Sequence, residues 1–300
     1  MASIFSSEEL DAYFSSYAGM EGGNIGAAIW LCDKEPHLLA AGAAVAPAHE
    51  PPAWDAAFRE RHRHDMPRWQ THQRLARIMA ATRAATLRET IPALDWHAYF
   101  ERHLYAPGGW EFKLNLYPLP KPQHMDLSQI ETFRRNPYLS PNWRYVDFCR
   151  QGGRFRFIAE LRRRMRPKVI LCTGQAEEEE FLLALGFQGV PCSEHRLQPA
   201  DLVKTLRVYS HEGTRLVICP KVGGPTGINS DTLLDAMGAF LSVWLDAADF
   251  ADAREMREMR ETHDVRGMRG MRGELTERDS RASWRAATRG AEIATGAAPA

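Results

Sequence analysis

Apolar residues follow two rhythms along the first 245 positions. Apolar runs at 27–32 (AAIWLC) and at 169–172 within 168–173 (KVILCT) are bounded by Gly, Asn or Pro, and they read as strands buried on both faces. Residues 111–119 (EFKLNLYPL) alternate at period two, the pattern of a third strand. Residues 206–210 and 214–219 flank His211-Glu212-Gly213 and read as a β-hairpin. Between these segments the spacing turns helical. Residues 6–16 open on Ser6 with Glu9 three positions later, a capping box. Residues 53–64, 68–87 and 94–104 follow, the middle one carrying Trp69, Leu75, Ile78, Met79 and Leu87 as an apolar stripe. Residues 153–165 form a basic amphipathic helix stopped by Pro167. Residues 175–185 carry Glu177–Glu180 in their first turns, where acid suits the helix dipole, and 230–244 is the last helix. Strands separated by helices predict an α/β fold: a three-layer α/β/α sandwich around a central, mainly parallel four-stranded sheet, with the hairpin as an addition at its edge.

The pattern changes near residue 246. From there the chain is charged and repetitive (REM-REM, RGM-RGM), nearly free of large apolar side chains. Residues 1–245 therefore read as one α/β domain. Residues 246–300 read as a charged tail, helical over 247–262 and disordered beyond Gly267, Gly270 and Gly273, because little apolar surface offsets chain entropy there.

Composition narrows the function classes. Thirty-eight basic and 38 acidic residues cancel, so bulk charge gives no drive toward nucleic acid and only a local patch could supply one. No apolar run approaches the roughly 20 residues of a membrane span. Glu8, Glu9 and Asp11 stand where a secretory leader would be basic. Five cysteines without a CxxC pair read as free thiols in a reducing compartment. The expectation is a cytoplasmic protein with no membrane partner, no metal and no cofactor.

In sheets of this kind ligands gather at the C-terminal strand ends. The loops there are 33–37 (DKEPH), 118–122 (PLPKP), 173–175 (TGQ) and 220–229 (PKVGGPTGIN), the last longer than a turn requires. His62 and His64 sit two apart, on different sides of a helix, and read as a solvated face. Arg154, Arg156, Arg162–Arg164 and Arg166 suit either phosphate contacts or the outer side of a helix. Trp110, Trp143 and Tyr145 are either stacking platforms or core.

At these loops the chain resembles the uracil-DNA glycosylase superfamily, most closely its single-strand-selective branch. The segments that carry the likeness are IWLCDKEPH after the first strand, LNLYPL at 114–119, RPKVILCTG at 166–174 and VICPKVGGPTG after the last strand, spanning roughly residues 22–245. The resemblance implies a protein that binds a nucleobase in a strand-end pocket, with DNA as its nucleic-acid partner, and that hydrolyses an N-glycosidic bond. Glu35 would orient the attacking water, and Asn115 would read the base edge. Cys219 would stand in the position of the catalytic His, followed by Pro220, and the 223–229 loop would enter the duplex. Asp33, His37, Pro118, Lys221 and Asn229 would complete the substrate site. Negative charge on a departing base needs a hydrogen-bond donor, and a thiol is a weak one. The alternative is therefore a non-catalytic nucleobase, nucleotide or nucleic-acid binder on the same scaffold.

Overall fold

The computed structural model describes residues 6–36, 47–90, 92, 94–120, 127–199 and 201–251. His37 and residues 252–300, which hold nearly all of the expected tail, lie outside the described residues.

Seven strands form one sheet: β1 (Gly22–Gly23), β2 (Ile29–Asp33), β3 (Glu111–Asn115), β4 (Val169–Thr173), β5 (Cys192–Leu197), β6 (Lys204–His211) and β7 (Thr214–Cys219). Their order is β1-β3-β2-β4-β7-β6-β5. The four central strands β3-β2-β4-β7 are mutually parallel, while β1 pairs antiparallel on one side and β6 and β5 on the other. The expected four-stranded sheet is thus corrected to seven strands. The hairpin is present, but it is not an edge addition: β7 belongs to the parallel centre, and β5 lies outside β6. β5 reads CSEHRL and buries only its last residue well, so it lacks the alternation that marks a half-buried strand. β3 stops at Asn115, four residues short of the expected run, because Pro118 and Pro120 cannot donate to a ladder.

The helices are α1 (Ser7–Phe14), α2 (Ala56–His62), α3 (Gln70–Leu87), α4 (Trp96–Arg102), α5 (Leu127–Arg135), α6 (Asn142–Gln151), α7 (Gly153–Met165), α8 (Glu178–Leu185) and α9 (Asp231–Ser242). α5 and α6 were not expected from the sequence. α1 starts with the anticipated capping box: Glu9 N–H donates to Ser6 Oγ (3.2 Å), and Ser6 N–H donates to Glu9 Oε2 (2.8 Å). Of the expected helix over 247–262, the described part is a single 3₁₀ turn, Ala247–Phe250. Among the described residues no helix is long and apolar enough to cross a membrane.

β2, β4 and β7 are largely apolar on both sides, whereas β3 turns Glu111, Lys113 and Asn115 to one of them, and the sheet divides two cores. Trp30, Cys32, Phe112 and Ile170 face α1, α6, α7 and α8, meeting Phe14, Cys149, Ile158 and Phe181. Ile29, Leu31, Val169 and Val217 face α3, α4 and α9, meeting Ile78, Tyr99 and Met237. α3 and α9 touch closely at Gly238, where an added Cβ would lie 2.5 Å from Ala81 Cβ and 2.7 Å from the Ile78 carbonyl oxygen. The fork of Arg77 fastens the same pair, donating to both Asp235 carboxylate oxygens at 2.8 Å and lying 2.9 Å from Asp231.

On the other face Arg154, at the start of α7, is wholly buried and meets no carboxylate among the described residues. Its guanidinium donates to five backbone carbonyls: Leu116 (2.9 Å), Asn115 (2.6 Å), Ser16 (2.9 Å), Ala18 (3.1 Å) and Phe14 (3.4 Å). Burial pulls the arginine's pKa down from its usual value, but these oxygens replace its water shell. It ties the segment after α1 to the end of β3. Arg162 is also buried, and it donates to Glu212 (2.9 Å). Neither arginine can grip phosphate; Arg156, Arg163, Arg164 and Arg166 remain exposed.

Candidate functional site at the strand ends

Because the four central strands are parallel, their last residues form a row across the sheet. Asn115 pairs with Asp33, and Thr173 pairs with Cys219, while the β2–β4 ladder runs through Cys32 and Cys172. From β2 the chain goes outward to β3 and later returns to β4 on the other side, so the order reverses between β2 and β4. That reversal is the switch point at which doubly wound sheets generally form a ligand crevice.

Beneath the rim lies a buried charge network. Lys113 Nζ is 3.0 Å from Asp33 Oδ2 and 3.6 Å from Glu21 Oε2, and it donates to Asn115 Oδ1 (2.9 Å). Asn115 Nδ2 donates to the Gly19 carbonyl (2.7 Å) and to Glu21 Oε2 (2.6 Å). Thr173 Oγ1 donates to Asp33 Oδ1. Burial alone would depress the Lys113 pKa, but the Asp33 and Glu21 carboxylates more than offset it and hold the ammonium charged. Lys113 and Glu21 were missed in the sequence, and Thr173 was noted there only as the head of a strand-end loop. Lys113 sits between Phe112 and Leu114, where alternation places a solvent-facing residue, yet both sheet faces here are covered.

This network decides the fate of two expected site residues. Asn115 is buried and its amide is engaged at both ends, so it has no edge left to read a base. Cys219 is fully buried, and desolvation followed by the nearby Asp33 charge pushes its thiol pKa far up. It stays protonated, and it is sealed from any ligand at the rim. Pro118 is buried too, its backbone lying so close to Gly19 that a Cβ there would come within 2.2 Å of the Pro118 carbonyl oxygen. Asp33, expected to touch substrate, instead serves the network.

Glu35 and Lys221 sit on the two loops that bracket the crevice. Glu35 is half-buried with Oε2 shielded from solvent. Lys221 is exposed, with Nζ 3.8 Å from Glu177 Oε1. Between them Gly174 takes φ +117°, and a Cβ there would fall 2.6 Å from Glu177 Oε2. Lys34 reaches Glu180 (3.3 Å), which also accepts from Arg150 (2.6 Å). The crevice rim is thus a set of paired acids and bases.

The 220–229 loop is folded back on itself. Ile228 N–H donates to the Lys221 carbonyl (2.9 Å), Gly223 N–H donates to the Ile228 carbonyl (3.0 Å), and Lys204 Nζ donates to the Thr226 carbonyl (2.7 Å). At its end Asn229 lines a cavity of about 310 Å³ together with Gln70, Gln73, Arg74, Arg77, Trp96, Asp231 and Leu234. The cavity lies at the heads of α3 and α9, beside the β7-end loop: a Cβ on Gly223 would be 2.6 Å from Arg74 Nη1. Asn229 is the one expected site residue that lines it. Gln73 Nε2 donates to the Pro67 carbonyl (2.9 Å) and Asn229 Nδ2 to the Gly224 carbonyl (2.6 Å), which leaves their oxygens to accept from a ligand. Arg77 is held by Asp231 and Asp235, whereas Arg74 brings a second cation. The sequence offered no separate sign of Gln70, Arg74 or Trp96, which lie on helices read there only for their apolar stripes.

Of the aromatic candidates, Trp110 and Tyr145 are core and Trp143 is 63% exposed. Among the described residues no cluster of three or more His, Cys, Asp or Glu side chains is placed to hold a metal. No protein-family model, curated protein or solved structure matches this chain.

Proposed function

We propose that this chain binds a nucleobase-bearing ligand in the cavity at the heads of α3 and α9, and that it does so without cleaving the glycosidic bond. The observation that carries the reading is the lining of that cavity. Trp96 supplies a flat apolar wall, the carboxamides of Gln73 and Asn229 supply acceptors for a base edge, and Arg74 supplies a cation for a phosphate. A volume of about 310 Å³ suits a ring with its sugar rather than a long substrate. The likeness of the strand-end segments to the uracil-DNA glycosylase superfamily supports the same ligand class. Binding without excision is supported by the buried Cys219 thiol and the engaged Asn115 amide, the two residues that the resemblance assigns to base stabilisation and base reading.

A hydrolytic reading has one observation in its favour: Glu35 and Lys221 follow β2 and β7 at the same end of the parallel centre, where a carboxylate could orient water and an ammonium could steady a departing base. Titration with uridine and adenosine monophosphates, followed by tryptophan fluorescence, tests the first reading. Saturable binding weakened about tenfold or more by Trp96→Ala and by Arg74→Ala is expected. Absence of binding at millimolar ligand would refute it. In parallel, uracil-containing single-stranded DNA treated with alkali after incubation should remain intact. Strand breaks that disappear in Glu35→Gln would replace the binding reading with the hydrolytic one.

A further inference from the structure

We propose that residues 134–144 form a stacking platform for single-stranded nucleic acid. The segment reads RRNPYLSPNWR: three arginines, two aromatic rings at the surface and no acid. Trp143 is 63% exposed and Tyr138 39%, among the few large hydrophobic side chains that the fold leaves outside. The Arg144 guanidinium lies 5.4 Å from the Trp143 ring centroid, and Arg134 is exposed at the start of the same segment. Arg135 is partly neutralised by its ion pair with Glu131, so Arg134 and Arg144 carry most of the positive charge.

The platform is built rather than loose. Asn136 is buried; its side-chain oxygen accepts from Tyr138 N–H (2.9 Å), and its carbonyl accepts from Leu139 and Ser140 N–H (both 3.1 Å). Arg144 N–H donates to the Pro141 carbonyl (2.9 Å), and its guanidinium donates to the Pro137 carbonyl (3.2 Å). Leu139, Phe133 and Tyr145 anchor the segment in the core, and the Tyr145 hydroxyl accepts from Leu119 N–H (3.0 Å) just past the end of β3. A backbone held in this way needs little further ordering when a base stacks on the rings it carries. Exposed aromatics interleaved with arginines are what an unpaired strand requires, since every base has a π-face and every linkage a phosphate. A protein partner would equally cover the rings, but it has no use for a cationic surface without acids unless it is itself acidic. The platform shares no residue with the α3/α9 cavity and does not rest on the ligand proposed there.

The test is fluorescence anisotropy of the full chain with labelled dT20 and rU20 over a salt series. Binding of one or both is expected at low salt, with the pair also deciding the sugar preference. Trp143→Ala should weaken it about 5- to 100-fold and Trp143→Phe much less, as loss of one stacked base predicts. Arg134→Ala with Arg144→Ala should flatten the slope of log K against log[salt] by roughly 1.4, about 0.7 for each phosphate contact on a single strand. All three substitutions are at the surface, so unchanged thermal unfolding confirms that fold is intact. No binding by the wild-type chain, or an affinity and salt slope indifferent to these variants, overturns the proposal and assigns the patch to a protein partner. Failure of mononucleotide binding with these results intact would instead refute only the cavity reading.

Discussion

The buried Arg154 provides the sharpest quantitative test of the fold. Replacing it with Met keeps the length of the stem but removes all five donors to the carbonyls of Phe14, Ser16, Ala18, Asn115 and Leu116. A hydrogen bond from a charged group is worth about 1.5–3 kcal/mol, and stranded acceptors cost about 1–3 kcal/mol each, though such contributions do not add. Two of the five carbonyls lie at or just past the end of β3, one closes α1 and two lie in the segment after it, so relaxation would rehydrate some of them. The expected loss is about 4 kcal/mol, a large share of the 5–15 kcal/mol that holds a typical domain together. In urea, with a slope of roughly 3 kcal/mol/M, the midpoint should fall by about 1 M. Arg154→Lys keeps the charge but cannot span both segments with one ammonium, and should recover less than half of the loss. A Met variant whose midpoint moves by less than about 0.3 M at unchanged slope, near 1 kcal/mol, would refute the clamp.

Three further outcomes follow from the structure. Glu111 is fully buried, and desolvation raises its carboxyl pKa to about 7 despite the hydrogen bond from Tyr99 and the one from Tyr105 N–H. The folded state therefore holds a proton that the unfolded state releases near 4.5. Its contribution is full below pH 4.5 and is lost as pH rises through 7, by about 3 kcal/mol. Glu111→Gln should flatten urea-measured stability between pH 4.5 and 7, and a wild-type slope retained in the variant would rule the assignment out. Cys192 is exposed while Cys32, Cys149, Cys172 and Cys219 are buried, so Ellman's reagent should label one thiol promptly in the native chain, and prompt labelling of Cys219 would disprove its burial. Gly238→Ala forces a methyl against Ala81 and the α3 backbone, which should cost about 1–3 kcal/mol and lower Tm by several degrees; an unchanged Tm would show that the helices can part freely.

The parallel centre was legible because its strands advertise themselves. AAIWLC, and VILC at 169–172, are apolar at every position, the pattern that suits a strand covered on both faces. The capping box at Ser6 and the breaks at Pro167 and Gly174 were equally plain. β5 was not legible, because an edge strand paired on one side has no apolar code, and neither was β1, two glycines whose role is only backbone pairing. The candidate site was half legible. The strand-end rule led to the loops that hold Asp33, Glu35, Lys221 and Asn229, and the family resemblance added Asn115, but chain position says nothing about which of these turn inward. Lys113 and Glu21 draw Asn115 and Asp33 into the protein, and that convergence comes from segments some 90 residues apart. Arg154 misled for a related reason: in a helix rich in arginine, the one that meets five carbonyls resembles its neighbours.

The network of Lys113, Asp33, Glu21 and Asn115 also bears on how the strands find their alignment. Ile29–Cys32 is apolar on either side, so sliding β2 along β3 by one step would exchange one greasy surface for another at little penalty. The ions remove that degeneracy. A single-step slip would swing Asp33 to the side of Trp30 and Phe112 and strip Lys113 of its counter-charge, at several kcal/mol for each stranded ion. The hydrocarbon of the central strands drives collapse, and four polar side chains near their ends select the one alignment in which the collapsed sheet is correct.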